Sequence, residues 1–138
     1  MEKKRVLILC TGNSARSQMA EGILRRIGGG DYEVESAGVA PSHVRAEAVA
    51  VMKDIGIDIT THRSKSVDEF IGQNFDYLIT VCDNAKESCP VFSGNATRIH
   101  WSFDDPAAVE GNEEERLGEF ARVRGEIMGK LRKFVAAS

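Results

Sequence analysis

Residues Val6 to Leu24, VLILCTGNSARSQMAEGIL, constrain the fold more than any other stretch of the chain. Val6 to Leu9 are apolar without interruption, the pattern of a strand buried on both faces. Lys4 to Cys10 is therefore read as a strand. From Ser17 to Ile27 the spacing becomes helical, with Met19, Ala20, Ile23, Leu24 and Ile27 on one face. Strand, short polar loop and amphipathic helix in direct succession suit a parallel sheet wrapped by helices.

The rest of the chain continues that alternation. Gly28, Gly29 and Gly30 stop the first helix, as glycines past a helix end do. Tyr32 to Val39 reads as a second strand. Arg45 to Ile55 reads as a second helix, with Ala48, Val49 or Val51, and Met52 inward, ended by Gly56. Val67 to Ile71 forms a short helix, Phe75 to Cys82 a third buried strand and Ala96 to Trp101 a fourth. Glu113 to Val135 is the clearest helix, its apolar face marked by Leu117, Phe120, Ala121, Ile127, Met128, Leu131, Phe134 and Val135. The expected architecture is α/β, a four-stranded parallel sheet flanked by helices on both faces. With 138 residues and no linker or repeat, residues 1–138 are expected to form one domain. Cys10, Cys82 and the segment after Trp101 then meet at the carboxyl edge of the sheet, where such folds bind ligands.

A net charge of −3 offers no basic stripe for nucleic acid or an anionic membrane surface, so neither is an expected partner. The apolar run in MEKKRVLILC is too short for a signal peptide or a membrane span, and the expected location is the cytoplasm. Three cysteines, Cys10, Cys82 and Cys89, make an odd count for a disulfide framework in that compartment. Catalytic or redox thiols are the leading reading. Buried, inert cysteine is the plain alternative.

Between Cys10 and Arg16 lie Thr11, Gly12, Asn13, Ser14 and Ala15. A loop of this length can turn successive backbone N–H groups inward and cradle a tetrahedral oxyanion. The helix that follows aims its N-terminal dipole at the same point. Gly12 and Asn13 tolerate the positive φ such a curl needs. Arg16 supplies a planar fork for two oxygens. This field favours the thiolate form of Cys10 and makes it a nucleophile beneath a bound oxyanion. The nearest competitor, a nucleotide-binding P-loop, lacks its Gly-Lys-[Ser/Thr] ending here.

Cys82 ends a predicted strand and Cys89 follows after six residues, Asp83 to Ser88. Zinc explains the pair poorly, because the spacing is too long and no second Cys/His pair follows. His62 and His100 are isolated, and no metal site is expected. Cys82 alone reads equally well as a buried strand-end cysteine. The pair, beside a reactive Cys10, points toward thiol–disulfide exchange, with the polar DNAKES segment able to deliver Cys89 to Cys82. In SFDDPA, Asp104 reads as a turn-capping carboxylate. Asp105, held beside Pro106, reads either as another turn carboxylate or as a candidate acid for a departing oxygen.

CTGNSARS followed by QMAEG resembles the active-site loop of the low-molecular-weight protein tyrosine phosphatases and of the arsenate reductases that share their fold. ESAG (Glu35 to Gly38), the Cys82–Cys89 pair and Asp105-Pro106 extend the resemblance across nearly the whole chain. The two further cysteines favour the thioredoxin-coupled arsenate reductase branch. Phosphatases of the fold usually have a second cysteine where this chain has Ala15, and an aromatic residue where it has Ala107.

The resemblance implies a relay in which Cys10 attacks arsenate held by the amides of Thr11 to Ser17 and by Arg16, with Asp105 as the acid. Cys82 and then Cys89 carry the disulfide outward to thioredoxin. Ser17 is expected to hydrogen-bond Cys10, and Asn13 to hold the loop's curl. No cofactor is expected, and a monomer is the default. Some reductases of this branch bind potassium behind the loop. Arg63 and Lys65 lie where oxygen ligands would be wanted, so one of them is expected to pair with Glu21 in the ion's place. The alternative activity is hydrolysis of phosphate monoesters through a Cys10 phospho-intermediate, and weak phosphatase activity is expected of either enzyme. A non-catalytic redox sensor is the third reading.

Overall fold

The computed structural model describes residues 3–81 and 96–137. Strands β1 (Lys4–Cys10), β2 (Tyr32–Gly38), β3 (Tyr77–Thr80) and β4 (Thr97–His100) form one sheet in the order β2-β1-β3-β4. All three pairings are parallel, with Cys10 opposite Gly38 and Leu9 opposite Thr80. Helices α1 (Arg16–Gly28), α2 (Ala46–Lys53) and α3 (Glu113–Ala137) surround it, with short 3-10 turns at Gly29–Asp31, Val67–Phe70 and Pro106–Ala108.

Val6, Leu7, Ile8 and Leu9 are wholly buried, so both faces of the central strand are covered. The unbroken apolar run has this cause. Helix α1 packs on β1, β2 and α3, and α2 packs on α3 and α1. Val123 joins the buried face of α3, and Val51, not Val49, is the buried valine of α2.

Element ends shift by a few residues from expectation, for local reasons. Helix α2 stops at Lys53 because the chain turns through Gly56 at φ 77°, and Arg45 is extended rather than helical. Strand β3 begins at Tyr77, since Asp76 is occupied with Arg5, accepting from its amide at 2.7 Å and donating to its carbonyl at 2.9 Å. The expected extension of this strand to Cys82 lies outside the described residues beyond Val81, as do Cys89 and the DNAKES segment. Among the described residues no helix is long and apolar enough to cross a membrane.

The sheet order changes direction between β1 and β3, and in open α/β sheets such a switch point opens a crevice at the carboxyl ends. Cys10 is the last residue of β1.

Candidate active site

At the end of β1 the chain leaves the sheet and curls back over the Cys10 sulfur. Asn13 makes the curl, with φ 48°, the one positive value among described non-glycine residues. Gly12 does not share it, so the tolerance expected of both residues is used at Asn13 alone. The Asn13 amide donates to Cys10 Sγ at 3.2 Å. Ser17 Oγ lies 2.8 Å from the same sulfur. Because Ser17 Oγ already accepts from Asn13 Nδ2 at 2.8 Å, its hydroxyl hydrogen is free to point at the sulfur. Donors aimed at one atom hold negative charge there.

Asn13 is wholly buried and fully used. Its Nδ2 also donates to Ser36 Oγ at 2.9 Å, while its Oδ1 accepts from Gln18 Nε2 at 2.9 Å and from the Lys65 amide at 2.8 Å. Gly38, on the neighbouring strand, makes room for the curl. A Cβ there would stand 2.6 Å from the Thr11 carbonyl oxygen and 2.8 Å from the Asn13 nitrogen.

Arg16 opens α1 and turns its guanidinium across the mouth of the loop. Nη1 donates to the Phe103 carbonyl at 3.2 Å, and Nη2 lies 3.9 Å from Asp105 Oδ2. Asp105 is half-exposed and caps the turn after it, accepting from the Ala107 amide at 3.0 Å. Asp104, expected to cap, instead meets Arg122 of α3 at 2.9 Å. The cap falls to Asp105 because Pro106 occupies the first position of the 3-10 turn and leaves the next free amide to Ala107. Cys10, Thr11, Gly12, Ser14, Ala15, Arg16, Asp105 and Ala107, together with Ser42, His43 and Arg45, line one cavity of about 250 Å3.

Behind the loop, away from the cavity, sits a buried charge cluster. Glu21 accepts from Ser36 Oγ at 2.7 Å and lies near Arg25 (3.2 Å), His62 (3.3 Å) and Lys65 (3.5 Å). Lys65 also approaches Glu35 at 3.7 Å. Arg63 does not take part; it pairs with Glu69 at 2.6 Å. Of the two cations expected beside Glu21, Lys65 is the one that lies there. His62 is a half-buried histidine held by Gln18 Oε1 at 3.0 Å, and its partial burial pushes its pKa below 6.5 against the opposing pull of Glu21. His100 bonds Thr80 Oγ1 at 2.7 Å. Among the described residues no group of three or more His, Cys, Asp or Glu could hold a metal ion.

Thus Cys10, Thr11, Gly12, Ser14, Ala15, Arg16 and Asp105 meet at one mouth. Asn13 and Ser17, also expected to bind the oxyanion, are instead buried against the Cys10 sulfur, and Cys82 and Cys89 lie outside the described residues. Gln18, Ser36 and His62 were not singled out from sequence as parts of the site. The polar pair Gln18 and Glu21 on the otherwise apolar buried side of α1 was the available signal.

The family model described as low molecular weight phosphotyrosine protein phosphatase matches residues 5–138. An arsenate reductase of Halalkalibacterium halodurans is 45% identical over 134 residues, spanning 97% of this chain and 96% of that protein. A solved arsenate reductase in the oxidized state superposes with a TM-score of 0.83 at 30% identity, over 97% of this chain and 98% of the other. The low molecular weight protein tyrosine phosphatase of T. tengcongensis superposes with a TM-score of 0.80 at 28% identity, over 99% of this chain and 100% of the other.

Proposed function

The chain belongs to the low molecular weight phosphotyrosine protein phosphatase family, and from that premise we propose that it reduces arsenate to arsenite with Cys10 as nucleophile. The observation that carries the reading is the Cys10 sulfur, met by Ser17 Oγ and the Asn13 amide at the base of a cavity that Arg16 and Asp105 also line. Backbone amides and a cationic fork suit a tetrahedral oxyanion.

In this reading the Cys10 thiolate attacks arsenate. A sulfur–arsenic bond forms and an arsenic–oxygen bond breaks, the oxygen leaving as water with a proton from Asp105. Cys82 then attacks the Cys10 sulfur. A disulfide forms, the sulfur–arsenic bond breaks, and its electron pair stays on arsenic, which departs as arsenite. Two sulfurs are oxidised by two electrons and arsenic is reduced by two. Cys89 attacks Cys82, frees Cys10 and leaves a Cys82–Cys89 disulfide for a dithiol reductant, thioredoxin. Residues 1–138 act as one domain and as a monomer in the cytoplasm. Lys65 stands where a cation would otherwise neutralise Glu21.

Arsenate and phosphate have nearly the same shape, so the loop alone does not separate reductase from phosphatase. Two features favour the reductase: the sequence holds Cys82 and Cys89, and a relative 45% identical over nearly its whole length is an arsenate reductase. The test is to mix reduced protein with arsenate without reductant, count thiols and map disulfides by peptide mass. Two thiols lost, arsenite released and a Cys82–Cys89 bond would support the relay. Three intact thiols would sink it and turn attention to phosphate-ester hydrolysis.

A further inference from the structure

We propose that Arg45 is a specificity-determining residue, a second cation at the mouth of the anion loop that reads the charge of a small inorganic oxyanion. The inference rests on the oxyanion chemistry proposed above and adds to it a residue outside the loop.

The first support is how rigidly Arg45 is placed. Beyond β2 the chain runs beside the anion loop, bonded to it at intervals: Val39 N to Cys10 O at 3.3 Å, Ala40 N to Thr11 O at 2.9 Å, Ser42 N to Gly12 O at 3.0 Å and Arg45 N to Ser14 O at 2.9 Å. Ser64 Oγ closes the seam by donating to Gly12 O at 2.8 Å while accepting from Ser42 N at 3.0 Å. A residue on this seam keeps its register with the loop, so Arg45 lines the same cavity as Cys10 and Arg16.

The second support is its charge. Arg5, Arg25, Arg63 and Arg122 each meet a carboxylate. Glu47, the nearest carboxylate in sequence, is engaged by Arg116 at 3.8 Å. The guanidinium of Arg45, half-buried, has no ion pair or hydrogen bond among the described residues. A half-buried cation left unpaired beside an anion nest attracts the anion more strongly than an exposed one would. The third support is the shape of the mouth. His43 and Ser42 continue the Arg45 wall, Asp105 and Ala107 form part of the rest, and among the described residues no Phe, Tyr or Trp lines the cavity. A bare tetrahedral anion at this mouth meets two cations, Arg16 and Arg45.

The test compares Arg45→Gln with the parent chain in arsenate turnover at low and high ionic strength, and in the protection of Cys10 from alkylation by inorganic phosphate. The expected result is a KM for arsenate raised about tenfold at low salt with kcat within about twofold, the gap closing at high salt as charge is screened. The phosphate needed for half-protection should rise by the same factor, and Arg45→Lys should recover most of it. Should Arg45→Gln misfold, Arg45→Met reads the same effect. Unchanged KM and unchanged protection, or a fall in kcat alone, would overturn the proposal. If neither protein turns over arsenate yet phosphate protection still weakens in the variant, the role of Arg45 stands and the reductase reading falls.

Discussion

The hydroxyl of Ser17 sits 2.8 Å from the sulfur of Cys10 and takes its orientation from Asn13, whose Nδ2 donates to it at 2.8 Å. Ser17→Ala removes a donor from the nucleophile and leaves one N–H of Asn13 buried with fewer partners. An unmet buried donor costs about 1–3 kcal/mol. The expected outcome is a lower denaturation midpoint together with Cys10 alkylation slowed about tenfold at neutral pH, read by stopped alkylation and peptide mass. Ser17→Thr should restore much of the rate.

Gly38→Ala places a methyl group 2.6 Å from the Thr11 carbonyl oxygen and 2.8 Å from the Asn13 nitrogen. Both are backbone atoms of the anion loop and cannot swing aside as a side-chain tip would. Overpacking of this kind costs about 1–3 kcal/mol. Urea denaturation should show that loss, and inorganic phosphate should protect Cys10 poorly in the variant. Full protection would mean that the loop relaxes without losing its curl.

Lys65→Met strips the buried Glu21 carboxylate of one of its cations, leaving Arg25 at 3.2 Å. Breaking one side of a buried pair costs about 3 kcal/mol. The double variant Glu21→Gln/Lys65→Met should recover part of that stability in a thermal melt. The parent protein should also work equally well in potassium and in sodium salts. Strong activation by potassium would show that Lys65 does not take the place of an ion.

His62 makes stability depend on pH. Burial lowers its folded-state pKa below 6.5, so between that lowered value and 6.5 the unfolded chain binds more protons than the folded one. Stability from this group therefore rises with pH through the window and is lost as pH falls below about 6.5. Denaturation midpoints measured across the window should slope upward for the parent chain. They should be flatter for His62→Gln, whose amide can still reach Gln18.

Cys89→Ser should stop the relay one step short, with one arsenate consumed and a Cys10–Cys82 disulfide accumulating. Cys82→Ser should release no arsenite. Peptide mapping distinguishes the two, and normal turnover by either variant would remove that cysteine from the mechanism.

The strand–loop–helix unit was legible because its signals are local: a continuous apolar run, a polar loop, then helical spacing from Met19 to Ile27. Ser17 and Asn13 were readable for the same reason, lying within a few residues of Cys10. What sequence did not reveal depends on partners far along the chain. Gln18 meets His62 across 44 residues and Ser36 meets Asn13 across 23. The pairing of Asp104 with Arg122 was hidden for the same reason, since the two lie 18 residues apart. Arg45 carried no signal at all, because its neighbourhood is created by the seam between residues 39–45 and the loop.

The path from Lys65 through Glu21, Ser36, Asn13 and Ser17 to Cys10 gathers its members from three separate stretches of chain. A graft of CTGNSARS onto another strand–helix junction would carry the outline of the nest and not its wiring. Recipients would need a serine on the adjoining strand, an acid one turn into the helix and a cation from a distant loop before the transplanted thiol behaved as this one does. Reactivity here is a property of the assembled sheet edge, and the eight-residue signature is only its visible label.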